Sequence, residues 1–229
     1  LARAVDASRS VANFRFFAQF AKEFTVEDFE MDDAMNHVIL KPVGIAGLIT
    51  PWNLPLYLLS WKIAPAIVMG NTVVAKPSEL TPLTANLLSE VIDEIGLPAG
   101  VVNIVHGFGS EAGQYIVENS KVNLISFTGG TTTGKMVAAT AGPMFKKLSL
   151  ELGGKNATIV LEDTDLDKSI PEIVRSGFMN QGQVCLCGSR ILVSDKIWEE
   201  FVDKFVNHVK SMKVGDPSSS NSDLGALIS

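Results

Sequence analysis

Strand-like and helix-like stretches alternate through the middle of this chain, and that alternation limits its fold more than any other feature. The β-branched segments NTVVAK (71–76), GVVNIV (100–105), VNLISF (122–127) and ATIVL (157–161) are separated by stretches of helical apolar spacing over 55–69, 81–95, 109–118, 131–140 and 165–178. Short apolar strands joined by helices long enough to cross over predict an α/β fold with a mostly parallel sheet flanked by helices. Ahead of this rhythm, HVILKPVGIAGLIT (37–50) reads as two short strands around Pro42. Before it, residues 2–20 place Val5, Val11, Phe14, Phe17 and Phe20 near helical spacing. A last helix, 195–212, carries Ile197, Phe201, Phe205 and Val209 on one face, and GDPSSSNSD (215–223) reads as a polar loop.

Composition narrows the function classes. The chain has 229 residues, 46% of them hydrophobic and 19% charged, enough apolar material for a sizeable core. A formal charge of −6 without a basic stripe argues against a nucleic-acid partner. The most apolar run, LPLYLLSWKIAPAIVM (54–69), is broken by Lys62 and two prolines, so no membrane span is expected. Two cysteines supply no disulfide framework, which points to a reducing, cytoplasmic compartment. The chain starts without Met on an amphipathic segment, ends on GALIS with no helix stop, and so reads as a fragment.

In a parallel sheet, ligands collect beyond the carboxyl ends of the strands, here the loops 50–54, 76–81, 106–110 and 127–131. GFGSEAG (107–113) follows a strand and opens a helix. It is one residue too long for the dinucleotide fingerprint, and no acidic residue closes the next strand. GGTTTGKM (129–136) fits a phosphate loop at Gly129, Gly134 and Lys135 but ends on Met136, where a hydroxyl should hold Mg²⁺. Its glycines and helix start still suit a phosphate, or simply a tight turn. In KPSE (76–79), Lys76 and Glu79 are placed either to grip the two hydroxyls of a ribose or to decorate a helix start. A carboxylate there would repel a 2′-phosphate and so favour NAD over NADP.

The two cysteines, Cys185 and Cys187, sit in NQGQVCLCGSR (180–190). His37, His106 and His208 lie far from them in sequence and nothing has metal-ligand spacing, so no metal site is expected. C-x-C is not the C-x-x-C of a thioredoxin-like pair. A nucleophilic cysteine needs a base and an oxyanion donor. Glu151, between leucines in LSLELGGKN (148–156), would become a general base if burial raised its pKa; the competing reading is a strand-edge glutamate facing water. Asn53, between Pro51 and Pro55 in TPWNLPL (50–56), would donate to an oxyanion beside the Cys185 amide, or would be an ordinary turn asparagine.

Taken together, PWNLPL, GNTVVAKPSELTP, FTGGTTTGK, LELGGKN and NQGQVCLCGSR resemble the aldehyde dehydrogenase superfamily in order and spacing. The resemblance implies a Rossmann-like NAD-binding domain over 1–152 and the start of a catalytic α/β domain over 153–229. It implies NAD as cofactor, a small-molecule aldehyde as substrate, and a homodimer or homotetramer in the full-length form. It assigns Cys185 as the thiolate that adds to the aldehyde, Asn53 and the Cys185 amide as the oxyanion hole, and Glu151 as the base that activates water to hydrolyse the thioester. Lys76 and Glu79 would hold the adenosine ribose. Thr50, Pro51, Trp52, Phe127, Gly129, Gly130, Gly134 and Leu152 would line the remaining cofactor groove, with Gly107 beside the adenine. Cys187 falls where the family needs no cysteine. Gly130 stands where the family commonly carries serine. SRSVANFRFFA, LPLYLLSWKIAPA and LSLELGGKN are similar to the 2-aminomuconate and 2-hydroxymuconate semialdehyde branch, in which Arg9, on the inner face of the first helix, would pair with a substrate carboxylate, or would be a solvated surface arginine. Three alternatives stand beside this: an acylating relative, a truncated or crystallin-like chain, and a nucleotidase using Lys135.

Overall fold

The computed structural model describes residues 2–229, and the chain divides into two compact units, Leu1–Leu152 and Gly153–Ser229. The first unit opens with a π-helical turn, Ala2–Ala7, that runs into α1 (Ser8–Glu23). A two-residue antiparallel ladder follows, β1 (Phe29–Glu30) with β2 (Met35–Asn36). Then come β3 (Ile45–Ile49), α2 (Pro55–Val68), β4 (Thr72–Lys76), α3 (Leu83–Glu94), β5 (Val102–Ile104), α4 (Gln114–Glu118), β6 (Val122–Gly129), α5 (Thr131–Ala141) and β7 (Lys147–Leu152).

The sheet is five-stranded, in the order β5-β4-β3-β6-β7, and every neighbouring pair is parallel. The chain builds outward from β3 to β5, then returns to lay β6 on the other side of β3. Strand order therefore reverses between β3 and β6, the point in such sheets where a crevice opens at the carboxyl ends. Alternation along β3 explains the layers. Ala46 and Leu48 face α2 and α3 in a cluster with Leu59, Ile63, Val73, Ala75 and Ala85. Ile49 faces α4 and α5 with Ile116, Val117, Ile125, Phe127 and Val137. Burying a side chain such as Leu59 or Ile63 completely contributes about 1.5–3 kcal/mol. Gly47 lies on the α4 face, where a Cβ would come within 2.5 Å of Ile116 Cγ2 and 2.9 Å of Ile125 Cδ1. Only a residue without a side chain lets α4 approach β3 this closely.

The second unit contains β8 (Ala157–Val160), α6 (Leu166–Phe178), β9 (Arg190–Val193) and α7 (Trp198–Ser211). β8 and β9 pair in parallel. The amphipathic helices close over Val160, Leu166, Ile170, Ile173, Val174 and Phe201. Asp165 caps α6 by accepting from the Lys168 N–H.

The expected strands and helices are present with ends shifted by a few residues, with one exception. Of the two strands expected around Pro42, only 45–49 forms; residues 37–44 are irregular, and Val38, Ile39 and Leu40 are exposed. Proline has no N–H for a ladder, and this run finds no pairing strand among the described residues. No helix among the described residues is long and apolar enough to cross a membrane.

Candidate active site

The carboxyl ends of the five parallel strands gather most of the residues singled out in the sequence. At the end of β3, Thr50 is buried, its N–H donating to the Lys76 carbonyl at 3.1 Å, with the hydroxyl oxygen buried and unpartnered. Pro51, Trp52 and Asn53 form a half-buried turn between β3 and α2. Pro55 opens α2, and the residue before it, Leu54, supplies no side-chain cap. The cap comes from elsewhere. Asp6, only 6% exposed, accepts from the N–H groups of Leu56 (3.2 Å) and Tyr57 (2.9 Å). Asn13, also buried, donates its amide to the Tyr57 carbonyl (3.1 Å) and to Ser60 Oγ (2.9 Å).

At the end of β4, Lys76 is 2% exposed and its ammonium donates to the Pro77 carbonyl (2.7 Å) and to Glu79 Oε2 (3.2 Å). A hydrogen bond from its own backbone N–H holds Glu79 below the usual glutamate range; partial burial opposes this and Lys76 reinforces it. Gly113 passes over the Lys76 stem, its missing Cβ 3.6–3.7 Å from Cδ and Cε. Gly107, after β5, adopts φ +146°, which favours glycine, and a Cβ there would press on Ala112 at 3.0 Å.

At the end of β6, Phe127 is buried and Gly129 lies against its ring, where a Cβ would fall 2.5 Å from Cζ. Gly130 is the N-cap of α5 and, having no side chain, supplies no acceptor to the first-turn amides of α5. A Cβ on Gly130 would meet nothing within 4 Å, so serine would fit there too. Gly134 packs onto Leu152, where a Cβ would come within 2.5 Å of Cδ2. Between α4 and α5 runs a cleft of about 600 Å³ lined by Gly109, Gly113, Val117, Phe127, Met136 and Val137 among others.

Glu151 lies on β7 and is exposed, so that of its two readings the water-facing one is observed. A groove of about 400 Å³ brings its carboxylate together with Phe17, Trp61, Lys62, Ser126 and Ser149. Lys62, 6% exposed, donates to Ser126 Oγ at 2.7 Å. Burial pulls its ammonium down to about 8, and the Glu151 carboxylate works in the opposite direction. Lys62 and Asp6 were missed as functional residues; a single charge inside the apolar run LLSWKIAPA was the available signal for the first. Arg9 is exposed and paired with no carboxylate among the described residues. The buried residues of α1 are Ser10 and Asn13, so Arg9 does not lie on its inner face.

Within the second unit, Asn180, Gln181 and Gly182 all take positive φ (53°, 57° and 72°) ahead of the cysteines. Two consecutive non-glycine residues there store strain of about 1–3 kcal/mol each. The thiol of Cys187 is tied down, donating to the Gly182 carbonyl at 3.0 Å with Ser189 Oγ at 3.7 Å. Cys185 is exposed, and its carbonyl accepts from Asn156 Nδ2 at 3.0 Å. Among the described residues no group of three or more His, Cys, Asp or Glu could hold a metal ion.

This chain belongs to the aldehyde dehydrogenase family, whose model matches residues 1–229. It is 53% identical to the 2-aminomuconic semialdehyde dehydrogenase of Homo sapiens, over all of the chain and 47% of that protein. It is 47% identical to the 2-hydroxymuconic semialdehyde dehydrogenase of Pseudomonas sp. (strain CF600), over all of the chain and 48% of that protein. The NAD⁺ complex structure of the Bacillus cereus aldehyde dehydrogenase superposes with a TM-score of 0.97 at 38% identity, over all of this chain and 47% of that one. The chain thus spans about half the length of the relatives it matches.

Proposed function

We propose that the protein carrying this chain oxidises a small acidic aldehyde, of the muconic semialdehyde type, to its carboxylate with NAD as oxidant. The observation that carries this is the placement of Lys76, Glu79, Gly129, Gly130 and Glu151 at the carboxyl ends of one parallel sheet, in a chain 53% identical to a 2-aminomuconic semialdehyde dehydrogenase.

The residues of the first unit fit a dinucleotide. Lys76 and Glu79 supply a donor and an acceptor for a ribose, and the uncapped start of α5 supplies amides for a phosphate. The unpartnered Thr50 hydroxyl offers a further polar contact, and the cleft beneath Gly113 has apolar walls for a base. These assignments make Leu1–Leu152 the NAD-binding domain and Gly153–Ser229 the beginning of the catalytic one. NAD, when bound, supplies the two-electron oxidant.

The chain's own residues carry the rest. The exposed Cys185 sulfur, as thiolate, adds to the aldehyde carbon, and the carbonyl oxygen becomes an alkoxide. Asn53 Nδ2 and the Cys185 N–H donate to that oxygen. Loss of hydride from the carbon restores a carbonyl as the Cys185 thioester. Glu151 takes a proton from water, the hydroxide attacks the thioester carbon, and the Cys185 thiolate leaves as the carboxylate forms. Lys62 lines the same groove as Glu151. Arg9, exposed and unpaired, is available to the distal carboxylate of the substrate.

The test is NADH fluorescence from the full-length protein with 2-aminomuconate or 2-hydroxymuconate semialdehyde beside a simple aliphatic aldehyde. NADH formation lost in Cys185→Ala and favouring the semialdehyde is expected. Equal turnover of both aldehydes would remove Arg9 from its role, and turnover that survives Cys185→Ala would overturn the mechanism.

A further inference from the structure

We propose that Asp6, supported by Asn13, is a positioning residue for the oxyanion donor Asn53, acting as a helix cap supplied from another element. The inference rests on the proposed role of Asn53. An α-helix begins with N–H groups that lack intrahelical acceptors, and the residue before it ordinarily supplies a side-chain oxygen for one of them. At α2 that residue is Leu54, which has none, and the first helical residue is Pro55, which has no N–H. The first two real donors are therefore Leu56 and Tyr57. Both point at the same buried carboxylate, Asp6, with one oxygen for each.

Leu56 lies three residues after Asn53, with the rigid ring of Pro55 between them. Fixing the first turn of α2 therefore fixes where the Asn53 backbone enters it. Asn13 holds the next peptide group by donating to the Tyr57 carbonyl, and Ser60 Oγ donates to that carbonyl at 2.8 Å. Tyr57 is thus gripped at its N–H by Asp6 and at its C=O by Asn13. The Asp6 backbone is itself tied, its carbonyl accepting from Ser10 Oγ at 2.7 Å. A negative group at the positive end of the helix adds to the hold. None of these residues reaches the reacting atoms as assigned. Their effect on the rate runs through the position of Asn53, where a misplacement near 1 Å costs about 100-fold.

The test uses the full-length protein with Asp6→Leu, Asp6→Asn, Asn53→Ala and the double variants of each Asp6 change with Asn53→Ala. Rates of NADH formation are normalised to the number of reactive Cys185 thiols, and NAD binding is read separately from tryptophan fluorescence. We expect Asn53→Ala to lower kcat by about 100-fold and Asp6→Leu by about 10- to 100-fold. Asp6→Asn keeps one acceptor oxygen and should fall between Asp6→Leu and the parent. NAD binding should weaken far less than kcat falls, because Lys76 and the start of α5 lie on other elements. Each double variant should match Asn53→Ala to within about twofold, because Asp6 has nothing left to position. Should Asp6→Leu fail to fold, Asp6→Asn and its double variant carry the comparison.

Effects that multiply, or a normalised kcat untouched by either Asp6 change, would overturn the proposal and leave Asp6 a stabilising cap only. A normal kcat in Asn53→Ala would instead overturn the oxyanion assignment, and the positioning role with it.

Discussion

Two cysteines one residue apart differ in what holds their sulfur atoms. The Cys187 thiol is spent on the Gly182 carbonyl, whereas Cys185 faces solvent. Iodoacetamide should therefore label Cys185 well before Cys187 in peptide mass maps, and Cys187→Ser should keep turnover within about threefold of the parent, because the serine hydroxyl can still donate to the Gly182 carbonyl. Cys187 labelling first would reverse the assignment. Glu79 offers a second residue-level test. Its carboxylate accepts from Lys76, and its own backbone N–H holds it below the usual glutamate range. Glu79→Gln should raise the KM for NAD severalfold and narrow the preference over NADP in steady-state assays with both cofactors. These positions were legible in the sequence because a cysteine, or a lysine and glutamate three apart at a strand end, is chemically conspicuous. Asp6 and Lys62 were not, because the meaning of each comes from a partner about fifty or more residues away. The water-facing position of Glu151 was not legible, because leucines on both sides suit a buried or an exposed strand position equally.

At the level of elements, α2 carries a buried ammonium in an otherwise apolar helix. Burial lowers the Lys62 pKa from 10.5 to about 8, so the folded state releases its proton before the unfolded chain does. The resulting penalty is complete below about pH 8 and fades as pH rises from there toward 10.5, so stability rises across that window. Lys62→Met should raise the unfolding free energy by about 1–3 kcal/mol at pH 7, with the gain shrinking above pH 8 in denaturant melts. A gain independent of pH would show that the ammonium is not what costs stability. On β3, strand propensity alone favours Gly47→Val. Crowding by Ile116 and Ile125 predicts the reverse, a loss of about 1–3 kcal/mol in the same melts. Most strands and helices could be read from their periodicity. β7 and β9 escaped because KLSLEL carries two charges and RILV is only four residues long. The strand expected before Pro42 was over-read because apolar residues suggest a strand but do not supply a pairing partner.

For the whole molecule, the two units divide the proposed labour, with the cofactor contacts in Leu1–Leu152 and the nucleophile in Gly153–Ser229. The 229-residue chain should bind NAD, seen as quenching of tryptophan fluorescence, and should lose that binding in Gly113→Leu, which fills the space over the Lys76 stem. Undiminished binding in the variant would move the cofactor elsewhere. The α/β class and the parallel sheet were legible from the alternation of elements. The strand order was not, since nothing local says that β6 returns to the flank of β3 opposite β4. That return has a consequence for how the protein is made. β3 gains its first neighbour soon after it leaves the ribosome, but its other edge stays bare until residues 122–129 have been translated. At about 5–20 residues per second, an apolar strand edge therefore waits several seconds in the open. The nascent chain is most exposed to chaperones, and to other nascent chains, while its most central strand is only half paired.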